Sequence, residues 1–314
     1  MCDRPRDRSV AGMRNPAIEV QNLHKSYGGD AVIREISFAV GEREIFGIAG
    51  RNGAGKTTTI EILQGLRRRD GGRVSVLGLD PERERARLRT LVGSQLQTSA
   101  LPDRLRVGEA LRLFARLAGD RVDWRALAEE WGLSSMLGQP FATLSGGQRQ
   151  RLFLALTMVG DPRLVFLDEL TQGLDPAARR ETWRLIEQAR ERGTTVVLVT
   201  HDMDEAERLC DRVAVLDAGR LVTCGRPVEL VTALGTVRVR FSSPEVARVE
   251  GLDRVPGVAE IGYDGGVAVV ETSPAAVVAL AGELARRGLA PADFTVIRPS
   301  LEDAVVSMLS GGPR

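Results

Sequence analysis

The chain has 314 residues and nearly balanced charge, with 43 Lys and Arg against 42 Asp and Glu, a formal net charge of +1 and 43% hydrophobic residues. At about 100–200 residues per domain, this length predicts roughly two domains. The balanced charge gives no reason to expect a nucleic-acid partner. Every apolar run is far shorter than the ~18–20 residues that a membrane helix needs.

The predicted elements begin after a polar N-terminal segment. Residues 1–16 are rich in Arg and Asp and lack the apolar stretch of a secretion signal, so we expect a disordered extension there. The chain has three cysteines, Cys2, Cys210 and Cys224, and no CxxC pair among them. An odd count makes a poor disulfide framework, so this usage favours a reducing cytoplasm.

From Ala17 to about residue 225, strand-like runs alternate with helical stretches. This alternation predicts an α/β domain over residues 17–234 with a largely parallel sheet. A mostly helical insert, about residues 99–160, interrupts it. Helices are expected at Lys56–Gln64 and Ala177–Arg192. The runs typical of strands buried on both faces are Ile45–Ala49, Leu164–Leu167, Val196–Val199 and Val213–Leu216.

The pattern of apolar and polar residues changes near residues 234–236, and residues 235–314 are expected to form a small α+β domain. Its predicted order is βαββαβ, a split βαβ arrangement. The predicted elements are Val237–Phe241, Pro244–Val249, Val258–Tyr263, Val267–Glu271, Pro274–Arg287 and Phe294–Ile297.

A glycine-rich loop between a predicted strand and a predicted helix fits the pattern GxxxxGK[ST]. Glycines let successive backbone N–H groups surround a β-phosphate, and the helix N-terminus adds partial positive charge. Lys56 would then span the β- and γ-phosphates of ATP, and the Thr57 hydroxyl would hold Mg²⁺. The predicted ATP-binding residues of this loop are Gly50, Arg51, Asn52, Gly53, Ala54, Gly55, Lys56, Thr57 and Thr58.

An apolar strand at Leu164–Leu167 ends in two carboxylates, Asp168 and Glu169. In a chain with a phosphate loop, the first carboxylate can bind Mg²⁺ through water. The second can orient or deprotonate the water that attacks the γ-phosphate. We therefore predict Asp168 as a metal ligand and Glu169 as a catalytic residue.

A second candidate anion site precedes a predicted helix, where a serine hydroxyl and two glycine N–H groups stand at the helix N-terminus. Its residues are Leu144, Ser145, Gly146, Gly147 and Gln148. This pentapeptide resembles the signature of the ABC ATPases. In that family the signature faces the nucleotide held by a partner subunit. The resemblance implies a P-loop NTPase core of the ABC type, working as a homodimer.

The same resemblance covers about residues 17–230 and assigns further roles. It implies that Tyr27 stacks on adenine and that Gln97 contacts Mg²⁺ and takes part in catalysis, with Gln95 as a rival by spacing. It also implies that Asp175 is the D-loop residue, although Asp175 equally fits a helix cap. His201 matches the histidine that contacts the γ-phosphate. Leu170 departs from the family pattern, which has proline there; its loss removes a fixed φ but no catalytic atom.

The C-terminal run Pro299–Val305 resembles the tail of ATPase subunits from ABC-2 drug and antibiotic exporters of the daunorubicin-resistance type. That likeness implies a subunit on the cytoplasmic face of the membrane, paired with a separately encoded permease. Two alternatives remain open: a soluble ABC ATPase without a transport role, and a nucleotide-gated regulator. Intact Glu169 and His201 argue against the regulator.

Overall fold

The computed structural model describes residues 16–95, 100–119, 122–242, 251–288 and 293–309. The chain divides into two compact units, Met1–Arg226 and Pro227–Arg314, and each has its own hydrophobic core. Nearly all of the predicted N-terminal extension lies outside the described residues. Of the helices within the described ranges, none has the length and apolar composition needed to span a bilayer.

The strands of the first unit form two sheets. In chain order they are β1 (Ile18–Tyr27), β2 (Asp30–Val40), β3 (Ile45–Gly50), β4 (Gly71–Val76), β5 (Val92–Gln95), β6 (Leu164–Asp168), β7 (Thr195–Val199), β8 (Arg212–Asp217) and β9 (Arg220–Gly225). Six of them form one sheet in the order β5-β6-β7-β3-β8-β9, which is parallel except between β8 and β9. The predicted parallel sheet is confirmed, and all four predicted buried strands lie in it.

The other sheet is antiparallel, in the order β2-β1-β4. Its apolar side chains share one core with the large sheet, and Phe38 of β2 stacks on Phe46 of β3 with ring centroids 5.5 Å apart. Strands β3 and β7 are buried at every position, because apolar groups cover both faces of the large sheet. This packing fixes the carboxyl ends of β3, β6 and β7 at one edge of the sheet.

The helices of the first unit are α1 (Lys56–Leu63), α2 (Arg85–Leu88), α3 (Val107–Leu117), α4 (Trp124–Glu130), α5 (Gly146–Met158), α6 (Pro176–Glu191) and α7 (Met203–Leu209). Helices α3, α4 and α5 lie between β5 and β6 in the chain, within the predicted helical insert. Asp175 caps α6 and Pro176 occupies its first turn, which suits proline because its missing N–H has no partner there.

The second unit contains α8 (Pro227–Thr232), β10 (Val237–Ser242), β11 (Val258–Asp264), β12 (Val267–Thr272), α9 (Val277–Arg286), β13 (Thr295–Ile297) and α10 (Leu301–Leu309). Its sheet has the order β11-β12-β10-β13, antiparallel throughout, and α9 packs on one face. The predicted helix Pro244–Val249 lies outside the described residues. The unit begins at Pro227, before the predicted boundary at residue 234, because α8 packs against α10.

Candidate nucleotide site

The glycine-rich loop connects the carboxyl end of β3 to the first residue of α1. Gly50 has φ 146°, and a Cβ built there would lie 2.1 Å from the carbonyl oxygen of Leu216. Gly53 and Gly55 also have positive φ, at 80° and 96°, a region that side-chain-bearing residues rarely adopt. Glycine is therefore required at Gly50 by the neighbouring strand β8 and at the other two positions by the turn itself.

Lys56 stands at the start of α1, with only 8% of its surface exposed. Its ammonium donates hydrogen bonds to the carbonyl oxygens of Gly50 at 2.7 Å and Arg51 at 3.0 Å. Burial lowers the pKa of Lys56 below its ordinary value, and the nearby carboxylates of Glu169 and Asp168 oppose that shift. The chain's only lysine besides Lys25 thus stands inside the loop, facing the acidic pair.

A cleft of about 380 Å³ lies between this loop and the ends of β6 and β7. It is large enough for the phosphate groups of a nucleotide. Its lining brings together most of the predicted loop residues and both predicted carboxylates. The lining residues are Val32, Asn52, Gly53, Ala54, Gly55, Lys56, Thr57, Thr58, Asp168, Glu169 and Val199.

Asp168 is the last residue of β6 and carries a strongly perturbed carboxyl group. Its pKa is raised to about 6, chiefly by burial and also by the charge of Glu169, while Lys56 opposes the rise. A carboxylate in this state is under-compensated by the protein's own groups. Its surroundings therefore favour a cation next to it.

Glu169 follows in a strained backbone conformation, with φ 50° in the left-handed region. Its N–H donates to the carbonyl oxygen of Val199 at 2.9 Å, which ties the loop to the end of β7. His201, just beyond β7, places Nδ1 3.1 Å from Glu169 Oε1. The structure therefore brings the predicted catalytic carboxylate and the predicted histidine into contact, with the histidine side chain 53% exposed.

The perturbed Asp168 leads to a prediction about stability. Its folded-state pKa, about 6, lies above the ordinary 3.8, so the group's stabilising contribution is present below pH 4 and is lost as pH rises through 6. At pH 7.5 without nucleotide, we expect the free energy of unfolding of Asp168→Asn to exceed that of the wild type by about 1–2 kcal/mol. Most of this difference should disappear at pH 4.5.

Chemical denaturation of both proteins at the two pH values measures this difference. The exposed Asp30 gives a matched control, Asp30→Asn, and Asp168→Asn should be the more stabilising of the two substitutions at pH 7.5. An equal effect of Asp168→Asn at pH 4.5 and 7.5 would contradict the raised pKa.

The signature residues form a second cavity of about 340 Å³. Ser145 caps α5: its N–H donates to Gln148 Oε1 at 2.9 Å, and its Oγ accepts from the Gln148 N–H at 3.3 Å. Leu144 is buried and does not line the cavity. The lining residues are Ser145, Gly146, Gly147, Gln148, Arg151, Gly173, Leu174, Asp175 and Ala178.

Asp175 shares this second cavity and also acts as a helix cap. Its Oδ1 accepts hydrogen bonds from the N–H groups of Ala177 at 2.9 Å and Ala178 at 3.0 Å, and these bonds hold its pKa below the ordinary value. Both interpretations from the sequence, D-loop position and helix cap, are therefore compatible with its surroundings. Neither Ser145 nor Asp175 lines the cleft at the glycine-rich loop.

Tyr27, at the end of β1, is 39% exposed, and its ring does not line either cavity. Lys25 Nζ and Arg67 Cζ each lie 5.2 Å from the centre of the ring, which is cation–π distance. The predicted stacking of Tyr27 on adenine remains a prediction.

Gln97 lies outside the described residues, and its predicted contact with Mg²⁺ stays a prediction. Its rival Gln95 is 7% exposed, and its side-chain amide exchanges hydrogen bonds with that of Gln150 at 3.2 and 3.4 Å. Gln95 therefore links β5 to the signature helix α5. Sequence reasoning missed two further polar residues near the site, Thr171 and Glu205, which hydrogen-bond to each other at 2.8 Å.

The first unit matches a known family: residues 33–172 fit the model described as ABC transporter. The chain is 34% identical over 307 residues to the daunorubicin resistance ATP-binding protein DrrA2 of Streptomyces coeruleorubidus. That alignment covers 93% of this chain and 94% of the relative. The chain belongs to the ABC transporter family. ATP hydrolysis is the characteristic activity of this family, and the chain is an ABC-type ATPase.

Further similarities of this ABC protein agree with its fold. The Nod factor export ATP-binding protein I of Rhizobium etli is 40% identical over 233 residues, 72% of this chain and 73% of the relative. A solved ATP-binding subunit of an ABC transporter has a TM-score of 0.62 at 28% identity, covering 70% of this chain and 93% of that one. A nucleotide-free ATP-binding cassette, at 20% identity and a TM-score of 0.61, covers 67% and 91% and supports the fold alone.

Proposed function

We propose that this ABC protein is the ATP-hydrolysing subunit of an exporter that expels a drug, antibiotic or similar hydrophobic compound through a separate membrane permease. The observation that carries the proposal is the alignment with the daunorubicin resistance protein, which spans 93% of the chain. An alignment of that extent continues into the second unit, beyond the ATPase unit that ends at Arg226. The subunit would act at the cytoplasmic face of the membrane, bound to the permease.

The nucleotide would bind with its phosphates in the cleft of the glycine-rich loop. Backbone N–H groups of the loop and the N-terminus of α1 would hold the β-phosphate. Lys56 would exchange its bonds to the loop carbonyls for bonds to the β- and γ-phosphates. Tyr27 would contact the adenine.

Mg²⁺ fits the oxygen donors of this cleft. Thr57 would offer a hydroxyl, Asp168 a half-buried carboxylate at the edge of the cleft, and Gln97 an amide oxygen. Among the described residues, no group of three or more His, Cys, Asp or Glu side chains is arranged to hold a metal. An ion in this cleft would be held largely by nucleotide phosphates, where it would neutralise developing negative charge.

Glu169 would orient or deprotonate the attacking water, because its carboxylate faces the cleft at the end of β6. His201, in contact with Glu169 Oε1, would donate to the γ-phosphate as charge develops there. Most of the catalysis would come from positioning and electrostatics, since the protein forms no covalent bond in phosphoryl transfer.

The signature cavity would complete the site of a second copy. Ser145 and the N-terminus of α5 are suited to an anion, yet they line a different cavity from Lys56 within the same chain. Two copies meeting head to tail would place the signature of each against the γ-phosphate of the other. Closure of that pair would move the helical insert and, through it, the permease.

Co-purification tests the exporter assignment. A tagged full-length chain expressed in its native cell should be recovered from membranes together with a multi-spanning protein, and the pair in vesicles should hydrolyse ATP at a different rate from the chain alone. Lys56→Ala is the control, because assembly should survive when nucleotide binding is weakened. Recovery without any membrane protein, or with ribosomes or DNA, would overturn the assignment.

A further inference from the structure

Glu205 is a buried carboxylate that the mechanism above does not use. It lies in α7, is 1% exposed, and accepts hydrogen bonds at Oε1 from Thr171 Oγ1 at 2.8 Å and Trp183 Nε1 at 3.2 Å. Oε2 is also buried, and no donor in the described part of the chain reaches it. Burying a carboxylate with an unmatched oxygen is unfavourable. We therefore ask which parts of the structure its two accepted hydrogen bonds hold in place.

The first bond reaches the loop that carries Glu169. Thr171 is 3% exposed and follows Glu169 by two residues, with the buried Leu170 between them. Glu169 has φ 50°, and a strained backbone of this kind persists only when its surroundings determine it. The N–H of Glu169 is held by Val199, and the Thr171–Glu205 bond holds the loop on its far side.

Glu205 is itself held on two sides. Its N–H donates to Oδ1 of Asp202, the cap of α7, at 3.1 Å. Asp202 is paired with Arg179 of α6 at 3.1 Å, and Trp183 of the same helix donates to Glu205. His201, the residue that touches Glu169, directly precedes this cap in the chain.

We propose that Glu205 is a positioning residue for ATP hydrolysis: through Thr171 it fixes the loop of Glu169 relative to α7 and His201. The proposal rests on the proposed catalytic role of Glu169. Leu170 does not restrict φ as a proline would, and the Thr171–Glu205 bond adds a side-chain restraint to the backbone bond that Glu169 makes with Val199. Glu205 touches no reacting atom; it sets the direction of the carboxylate that does.

Single-turnover and steady-state hydrolysis by the full-length chain test this role. Thr171→Val removes the donated hydroxyl at nearly constant volume, and we expect kcat to fall about tenfold while KM and nucleotide Kd change less than about twofold. Glu205→Leu should lower kcat at least as far. Glu205→Gln retains an oxygen acceptor for both partners and should restore kcat to within about threefold of the wild type.

Thr182→Val is the matched control. Thr182 is 4% exposed and donates to the carbonyl oxygen of Ala178 at 2.9 Å, a bond within α6 that does not involve the loop of Glu169. It loses the same hydroxyl, so it should lose comparable thermal stability and keep kcat. Should Glu205→Leu fail to fold, Thr171→Val and Glu205→Gln still decide the question.

The results distinguish the positioning role of Glu205 from the catalytic role proposed for Glu169. A kcat for Thr171→Val equal to that of Thr182→Val would overturn the positioning role. A double variant, Thr171→Val with Glu205→Leu, that is no slower than the slower single variant would support it, because the two residues act through one bond. Undiminished turnover by Glu169→Gln would instead remove the proposed role of Glu169.

Discussion

Glu169→Gln is expected to lower ATP hydrolysis by roughly 100-fold to 1,000-fold while leaving nucleotide affinity nearly unchanged. The substitution keeps the size of the side chain and an oxygen that can accept from His201, which lies 3.1 Å away. It removes only the negative charge that orients or deprotonates water. The nucleotide contacts proposed for the glycine-rich loop and Lys56 are not altered.

Phosphate release under saturating ATP and titration with a fluorescent nucleotide measure the two effects separately. Glu191→Gln, a change of the same type at an exposed position near the end of α6, is the control and should behave as the wild type. Turnover by Glu169→Gln close to that of this control would exclude Glu169 as the water-activating group.

Ser145→Arg is expected to abolish ATP hydrolysis when this variant is assayed alone. The affinity of its monomer for nucleotide should not change. An arginine there places bulk in the signature cavity and removes the hydroxyl that caps α5. Lys56→Ala should also be inactive, through weakened phosphate binding. An equal mixture of the two proteins should regain roughly a quarter of the wild-type rate, because half the dimers are mixed and each mixed dimer contains one intact site.

Recovery in the mixture distinguishes a composite site from two independent defects. Asp123→Arg, which removes the cap of α4 in the same helical insert, lies outside both cavities and should remain active despite a comparable loss of helix stability. A mixture that stays as inactive as its components would contradict the head-to-tail arrangement.

The position of the acidic pair and the histidine was predictable from local sequence. Parallel strands end at one edge of a sheet, so residues just after β3, β6 and β7 had to meet there. The glycine-rich loop was equally predictable, since its turn and its approach to β8 require glycine. The helix cap by Asp175 followed from an Asp-Pro pair at a helix start.

What the sequence did not reveal depends on packing between distant segments. Glu205, in the first turn of a short polar helix, is indistinguishable in sequence from a solvated acid. Only the contacts with Thr171 and Trp183 show that it faces inward. Residues 227–232 were assigned to the first domain because the composition of the sequence changes after them, whereas the packing of α8 on α10 places them in the second unit. Helix α10 itself was recognised only as a run resembling a family tail.

The separation of the loop cleft from the signature cavity has a genetic consequence. Suppose that each nucleotide site combines the loop cleft, as one half, with the signature cavity of the other copy, as the second half. A chain that is defective in both halves would then inactivate both sites of any dimer that it enters, including a dimer with an intact chain. In a cell that makes equal amounts of intact and doubly defective protein, only about a quarter of the pairs are free of the defect. In that arrangement, an allele defective in one half would complement an allele defective in the other half, whereas the double defect would be dominant.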